Sequence, residues 1–357
     1  MKKQLIASIS GILVASIMGF IILTLQGYNA IASFTSLFDY SLFSVSSFNN
    51  TLVRTAPLLL TGLSAAIAFG SNAVNLGQPG QFLMGAMAAT YVGMTVDLPP
   101  VLMVPLLLVS AMTAGMLWSG IAALFKIYFR MNEFITTLML NFIAEYTTMY
   151  LISGPLLDPK LYSPMTEPIN SGGILPYING FPTTFAIATA AIILVYIFWQ
   201  KTKLGYELRI MGKNSSFSFT GGCNNRKNFL IIMLISGALA GLAGSMIVQG
   251  GLQHRFLKGM GADYAWDGVM IAIVANNGIL GTGFYALFFG MLQTGALGME
   301  LETSVPSEFV LVFQAITVLF VVASRGSAHL ILDKFSVLSR IRSRSQLVSP
   351  DSSEAPQ

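Results

Sequence analysis

Apolar stretches of about 20 residues, the length that an α-helix needs to cross a bilayer, alternate with short polar stretches along this chain. The strand-length alternation that is typical of a membrane β-barrel is absent. We therefore predict an all-α, polytopic transmembrane protein with about ten spans. These spans are Leu5–Leu25, Thr51–Gly70, a third that ends at Val96, Leu98–Phe125, Asn132–Ile152, Thr183–Gln200, Phe229–Gln249, Ala265–Leu280, Gly283–Glu300 and Pro306–Ala323.

The segments between the spans complete the predicted organisation. Gly27–Asn50 and Gly154–Phe181 are expected to be loops on the outer side, and residues 201–228 form a polar central segment. The spans and their connections make one transmembrane domain over residues 1–323. A polar tail follows at residues 324–357.

The composition supports a membrane protein and argues against several other classes. Of the 357 residues, 54% are hydrophobic and only 10% are charged, whereas a soluble domain has about 25% charged residues. Cys223 is the single cysteine, so neither an internal disulfide nor a cysteine-based metal site is expected. The sequence contains no P-loop of the form Gly-x4-Gly-Lys-Ser/Thr, so any ATP would bind another chain. No nucleophile and base arrangement and no cluster of metal ligands is visible, so we predict no enzyme activity and no metal site.

The basic residues predict the orientation of the chain, because cytoplasmic loops carry an excess of Lys and Arg. With ten spans and both ends in the cytoplasm, fifteen of the nineteen basic residues lie inside. The four on the outer side are Arg54, Lys160, Arg255 and Lys258. This asymmetry predicts that the central segment and both ends lie on the cytoplasmic side of the membrane.

The central segment has an internal order of its own. Asn214 is a good N-cap for a short helix at Ser215–Thr220, and Gly221-Gly222 would end that helix. A capped helix in a basic cytoplasmic loop is typical of a docking surface for another subunit. The alternative is a solvated loop that only fixes the topology.

A cluster of polar residues interrupts the chain after the second predicted span. Glycines and Pro79 break the helix there. Irregular backbone at membrane depth is tolerated only inside protein or beside a water-filled cavity. The segment therefore either lines a pathway or is an ordinary turn between two spans. Its polar residues are Asn72, Asn75, Gln78 and Gln81.

A similar interruption recurs near the C-terminus, at Asn276-Asn277-Gly278 and on to Gly283. Paired interruptions of this kind mark binding regions in transporters. They suggest that the chain contains duplicated halves on either side of the central segment.

The fifth predicted span carries the clearest polar strip within the membrane. Thr137, Asn141, Glu145 and Thr148 are spaced four, four and three residues apart, so they share one face of a helix. A carboxylate within the bilayer costs about 2.5–3.5 kcal/mol on insertion scales, so this face should look inward. The strip is either part of a translocation path or a structural hydrogen-bonding surface. Trp266 is predicted to be an aromatic residue at the membrane interface.

Three motifs together resemble the permease subunits of bacterial ABC importers, in the ribose, nucleoside and branched-chain amino acid permease family. They are Asn75–Gln81, Asn132–Ala144 and Leu208–Asn214, and the second is most similar to the nucleoside and simple-sugar members. The resemblance covers Thr51–Ala323. Pro79 departs from it, because such permeases often have Glu at that position.

The resemblance implies partners and roles. Such permeases pair with a second homologous or identical permease, dock two ATPases that bind ATP and Mg²⁺, and receive substrate from an extracytoplasmic binding protein or lipoprotein. The loop Leu204–Asn224 would hold the coupling helix, with the coupling residues Glu207, Arg209, Gly212, Lys213, Asn214, Ser215 and Phe217.

The expected substrate is a nucleoside. Neutral polar residues such as Asn75, Gln81, Asn141 and Asn276 suit an uncharged, hydroxyl-rich compound. The full set of candidate pathway residues is Asn72, Asn75, Gln78, Gln81, Thr137, Asn141, Glu145, Asn276 and Asn277. Two alternatives stay open: the same machine importing a simple sugar such as ribose or galactose, and an ion-coupled secondary transporter with Glu145 as its proton site.

Overall fold

The computed structural model of the protein describes residues 2–324. The tail predicted at 324–357 lies outside this range except for Ser324. The chain forms two compact units. One unit joins the N-terminal residues up to Ile31 with those from Glu308 onward, and the other comprises Ala32–Ser307.

The first unit contains helix α1 (Lys2–Leu25) and helix α13 (Phe309–Ser324). These two helices are in close contact at Gly11, where the backbone of Val321 occupies the space that a side chain would need. Both helices are apolar, in agreement with the first and last predicted spans.

The second unit is also helical. Between its helices lie a single 3-10 turn at Ser171–Gly173 and a short antiparallel hairpin of β1 (Tyr177–Ile178) and β2 (Phe181–Pro182). Helix α2 (Ala30–Phe38) leads into this unit. The helices that follow are α3 (Val45–Gly70), α4 (Gln78–Thr95), α5 (Pro100–Phe129), α6 (Glu133–Ser153), α7 (Thr183–Lys201), α8 (Lys203–Lys213), α9 (Ser215–Thr220), α10 (Asn225–Gly250), α11 (Ala262–Val274) and α12 (Ile279–Thr303).

Six helices in the described part of the chain are long and apolar enough to cross a membrane: α1, α3, α5, α7, α10 and α12. The all-helical, polytopic prediction is therefore confirmed. The boundaries of the predicted spans agree with the helices within about four residues, with two exceptions. Helix α3 begins at Val45, six residues before the predicted start of its span, and α11 ends at Val274, six residues before the predicted end of its span.

The prediction that Gly27–Asn50 is a loop was wrong. Helix α2 and a π-helical turn at Asp39–Phe43 occupy this stretch, and α3 already begins at Val45. Its polar residues suggested a loop, but they bond to protein groups. The hydroxyl of Ser36 donates to a carboxylate oxygen of Glu302, and Ser44 accepts the backbone N–H of Ser47 as the N-cap of α3.

Helices α3 and α10 form the centre of the second unit. In each of these two helices, more than three quarters of the apolar residues that could span a membrane are buried inside the protein. In α5 and α7 only about a quarter of such residues are buried. Helix α3 packs against α11 and α12, α10 packs against α4 and α5, and the two central helices pack against each other. This arrangement explains why both central helices are rich in small and apolar residues.

Glycines allow α10 to approach its neighbours closely. A Cβ added at Gly115 of α5 would lie 2.8 Å from the Cα of Gly241, and one added at Gly241 would overlap the carbonyl oxygen of Ala111. Gly237 meets the same face of α5. Gly237 and Gly241 therefore allow the close packing that small residues give to helices in membrane proteins.

The close contact between α5 and α10 leaves no space for an added side-chain carbon at Gly241. Gly241→Ala is expected to lower the melting temperature of the purified protein by roughly 1–4 °C, since overpacking costs about 1–3 kcal/mol. Gly120→Ala on α5 is the control, because its new Cβ would meet only the flexible side chain of Leu234, at 3.2 Å. Equal shifts in the two variants would contradict the close crossing.

Candidate functional site

The non-helical residues 71–77, which we call the break, separate α3 from α4 and are fastened to α6 by side chains. The backbone N–H of Leu76 donates to the Thr137 hydroxyl at 3.3 Å, and the Asn141 amide donates to the Leu76 carbonyl at 2.8 Å. The Asn141 side-chain oxygen also accepts the backbone N–H of Gly80, at 2.9 Å. Thr137 and Asn141 therefore replace the hydrogen bonds that the break cannot make as a helix.

A second set of polar side chains fastens the break from the protein interior. Asn75 and Gln81 form a reciprocal amide pair, with N···O distances of 3.1 and 2.9 Å. Asn75 also donates to the Ser236 hydroxyl of α10 at 2.8 Å, and Ser236 bonds to Ser64 of α3. All four side chains are completely or almost completely buried. This network joins the break to both central helices.

A cavity of about 420 Å³, which we call the first cavity, lies beside the break. Its walls come from the start of α4, from α6, from α11 and from the loop 251–261. Among its polar and aromatic lining residues are Asn141, Glu145, Tyr146, Thr148, Phe256, Lys258 and Trp266. The predicted strip on α6 therefore supplies one wall, and three of its four residues reach the cavity.

The first cavity offers chemically distinct groups to a ligand. Glu145 and Lys258 bring opposite charges, Asn141 brings an amide, and Trp266 and Tyr146 bring aromatic rings. Among the described residues, no hydrogen bond or ion pair engages the Glu145 carboxylate. This carboxylate is therefore available to a molecule in the cavity.

The loop 251–261 is held over the first cavity by the predicted outer loop. The backbone N–H of Ile169 donates to the carbonyl of His254, and that of Thr166 donates to the carbonyl of Phe256. Arg255 forms an ion pair with Asp158 at 3.3 Å. These contacts fix the positions of Phe256 and the residues that follow it.

The sequence pattern missed the contribution of this loop. Lys258 was placed on the outer side as one of the few basic residues there, and Trp266 was interpreted only as an interface aromatic. Both line the first cavity. A loop–loop pairing over about 90 residues leaves no periodic signal in the sequence, so only the unusual outer charge of Lys258 hinted at its position.

The other predicted pathway residues lie apart from the first cavity. Asn72 is exposed with a left-handed φ of 58°. Gln78 is fully buried, and neither polar atom of its side chain has a partner among the described residues. Asn276 and Asn277 are consecutive left-handed residues in the turn between α11 and α12, with Asn277 beside Gly70. Their roles in a pathway stay predictions.

The central segment contains the predicted short helix. Asn214 caps α9 by accepting the backbone N–H of Phe217 at 2.9 Å, and Gly221 follows the helix as predicted. An additional helix, α8, precedes it and was not predicted. Thr202 caps α8 by accepting the backbone N–H of Gly205 at 3.0 Å. Its polar, basic composition made this segment look like an unstructured loop.

Two predicted coupling residues bond within the chain. Glu207 accepts from the Asn228 amide at 3.1 Å, which ties α8 to α10. Arg209 donates to the side-chain oxygen of Gln200 at 2.8 Å, which ties α8 to the end of α7. These side chains hold the central segment in place.

The surface of α9 is aromatic. Phe217 is 64% exposed, and Phe219, which the sequence analysis did not select, is 72% exposed. Lys213, Asn214 and Ser215 are exposed beside them. Large apolar side chains on a polar segment are typical of a surface that another protein covers.

Gly212 connects the central segment to the break. A Cβ at this position would overlap the carbonyl oxygen of Gly70, the last residue of α3, and would lie 3.0 Å from the Cα of Ser71. The end of α8 thus lies directly on the backbone at which the break begins.

The fastening of the break by Asn141 can be tested by removing its amide. Asn141→Leu has a similar size but leaves the N–H of Gly80 and the carbonyl of Leu76 without partners, at about 1–3 kcal/mol each. We expect a melting temperature roughly 3–8 °C below that of the wild type. Thr147→Val on the same helix is the control, and an equal effect of both changes would contradict the fastening.

Comparisons with known proteins agree with this architecture. Residues 47–322 match the family described as branched-chain amino acid transport system / permease component. The chain is 35% identical over 309 residues to the guanosine ABC transporter permease protein NupP of Bacillus subtilis, covering 84% of this chain and 87% of NupP. It is 30% identical over 301 residues to the glucose ABC transporter permease protein TsgB13 of Haloferax volcanii, covering 81% and 79% of the two chains.

One further sequence relative and one solved structure are also similar to this chain. The nucleoside ABC transporter permease protein NupB of Lactococcus lactis is 30% identical over 310 residues, covering 83% of this chain and 84% of NupB. The solved structure of PsaBC from Streptococcus pneumoniae in complex with Fab has a TM-score of 0.50 at 12% identity, covering 83% of this chain and 95% of that chain. This last likeness concerns the fold alone. The chain belongs to the family of branched-chain amino acid transport system permease components, and it is a multi-pass, non-catalytic permease subunit of an ABC importer in the cell membrane.

Proposed function

We propose that this permease forms the pathway through which an ABC importer carries nucleosides. The first cavity supports this most, because it combines aromatic rings with hydrogen-bonding side chains. Trp266 and Tyr146 suit stacking with a nucleobase, and Asn141 and Glu145 suit the polar edges of the base or the ribose. Its volume of about 420 Å³ lies within the range of pockets for small molecules.

A simple sugar is the second candidate substrate. The glucose permease relative is as similar in sequence as the nucleoside permease NupB. A sugar would use the hydrogen-bonding groups of the first cavity but would gain less from two aromatic rings than a flat base does.

The proposed membrane arrangement has ten spans, in which α4, α6, α11 and α13 are counted in addition to the six long helices. Both ends and the central segment then lie in the cytoplasm, as the distribution of basic residues favours. Helix α11 has 13 residues and is about 20 Å long. This length is less than the thickness of the bilayer. The loop 251–261 before α11 and the turn after α11 span the remaining distance.

We also propose that the chain contains two related halves. Helix α3 packs against α11 and α12 in the way that α10 packs against α4 and α5. This symmetry pairs α3–α4 with α10–α11, so the break corresponds to the loop 251–261. The interruption at Asn276–Gly283 is then not its counterpart, contrary to the sequence-based hypothesis.

The remaining subunits of the importer follow from the proposed function. A second permease covers the exposed face of α6 and closes the first cavity into a conduit. Two ATPases, which bind ATP and Mg²⁺, dock on α9 through Phe217 and Phe219. An extracytoplasmic binding protein or lipoprotein delivers the nucleoside, and this chain carries no cofactor of its own.

The contacts of the central segment provide a route for coupling. Movement of α9 and α8 is passed through Gly212 to Gly70 and Ser71, where the break begins. The break is fastened to Asn141 on α6, which lines the first cavity. ATP-driven movement at α9 would therefore reach the wall of the cavity through backbone contacts and hydrogen bonds.

Uptake by the reconstituted transporter tests the function. Proteoliposomes would contain this chain, its partner permease, the ATPases and the binding protein, with labelled guanosine or inosine as substrate and unlabelled ribose as competitor. We expect ATP-dependent uptake that ribose does not block. Inhibition by ribose would assign the cargo to sugars, and uptake without ATP would contradict the proposed coupling.

Two tyrosines on α6 offer a matched test of stacking in the first cavity. Tyr146 lines the cavity, whereas Tyr150, one turn along the helix, does not, and they are 74% and 71% exposed. Because stacking on an aromatic side chain contributes about 1–3 kcal/mol per base, Tyr146→Ala should reduce nucleoside uptake about tenfold. Tyr150→Ala should leave it within twofold, and equal losses would argue against a base-binding role.

The coupling route can be tested at Gly212. A side chain at this position must push α8 away from Gly70. Gly212→Val should therefore lower nucleoside uptake at least fivefold. The assembled transporter should still hydrolyse ATP. Gly281→Ala is the control, because an added Cβ would meet its neighbours at ordinary distances of 3.4 Å or more. Normal uptake by Gly212→Val, or loss of assembly with the ATPases, would contradict the route.

A further inference from the structure

A second cavity of about 340 Å³ lies where α5 ends and α10 begins. It does not overlap the first cavity, since none of the residues that line the first lines the second. Its polar lining includes Lys126, Arg130, Arg226, Asn72, Ser215 and Asn225. Lys126 at the end of α5, Arg130 directly after that helix and Arg226 at the start of α10 therefore place three cations around one opening.

The charge of the second cavity is poorly balanced. Lys126 forms an ion pair with Glu133 and lies over the ring of Phe229, 4.7 Å from its centroid. Among the described residues, Arg130 and Arg226 have no acidic partner, and both are exposed. Like charges that converge without counter-charges repel each other, so an anion between them would lower the energy.

The shape of the site also suits an anion. Guanidinium groups present several N–H donors in a planar fork that matches phosphate oxygens. The first turn of α10 begins at Asn225 and adds the partial positive charge of a helix N-terminus to that of Arg226. The cavity is several times larger than a phosphate group needs and therefore has room for an esterified one.

The position of the second cavity relates it to the membrane. Tyr128 and Phe129 immediately precede Arg130 and are strongly exposed, as aromatic residues at a membrane–water interface are. Basic pockets between membrane helices on the cytoplasmic side bind the head groups of anionic lipids.

We propose that the second cavity binds a phosphate group, held by Arg130 and Arg226 with support from Lys126. The group belongs either to the head group of an anionic lipid or to a soluble phosphate compound. Its occupant would contact Asn72 of the break and Ser215 of α9. Occupancy is therefore expected to stabilise the junction between the central segment and the break, whichever substrate the importer carries.

The site can be tested by binding to the purified, delipidated permease. The probe is fluorescent short-chain phosphatidylglycerol, with phosphatidylcholine as the neutral comparison and inorganic phosphate as competitor. Wild-type protein should prefer phosphatidylglycerol. The double variant Arg130→Gln with Arg226→Gln should weaken this binding at least tenfold.

The double variant Lys201→Gln with Lys227→Gln is the matched control, because it removes the same charge from exposed positions outside the cavity. It should keep binding within twofold of the wild type. Displacement by millimolar inorganic phosphate would identify a soluble ligand, and resistance to it would identify a lipid. Equal losses in the two double variants, or no loss in the arginine variant, would overturn the proposal, provided that both variants elute as folded protein.

Discussion

The hydrogen-bonding demand of a non-helical backbone within a membrane protein governs much of this structure. Residues 71–77 leave the helical path between two buried helices, and each unpaired backbone group there would cost several kcal/mol in an apolar surrounding. Asn141 and Thr137 supply partners from α6. Within the break, the side-chain oxygen of Asn75 accepts the backbone N–H of Gly77, and Gln81 holds that amide in place. The positions of α4, α6 and α10 around the break follow from these bonds, and so does the position of the first cavity.

The same bonds give the break a mechanical role. A segment that is fastened on two sides moves with the helices to which it is bonded, and α8 rests on its first residues at Gly212. The surface proposed to receive the ATPases and the cavity proposed to receive the substrate are thus joined by a short series of contacts. The second cavity lies against the same junction, through Asn72 and Ser215.

Local signals in the sequence predicted the helices, the break and the cap of α9, because hydrophobic runs, glycines and an N-cap asparagine act over a few residues. They also predicted that Asn141 and Glu145 share a face. Other features depend on distant contacts. The hydroxyl of Ser36 finds its partner in Glu302, far along the chain, and Lys258 lines the first cavity because its loop pairs with residues about 90 positions earlier. Such pairings leave no periodic trace in one sequence.

The most direct test of the coupling proposal is a distance measurement between spin labels in the assembled transporter, with Cys223→Ser as background. One pair would join Asn72→Cys in the break to Lys213→Cys on α8, and the other would join Lys213→Cys to Leu301→Cys on α12. ATP binding should shift the second distance and leave the first unchanged, because α8 and the break move together. A change in the first distance, or an unchanged second distance, would contradict the proposal.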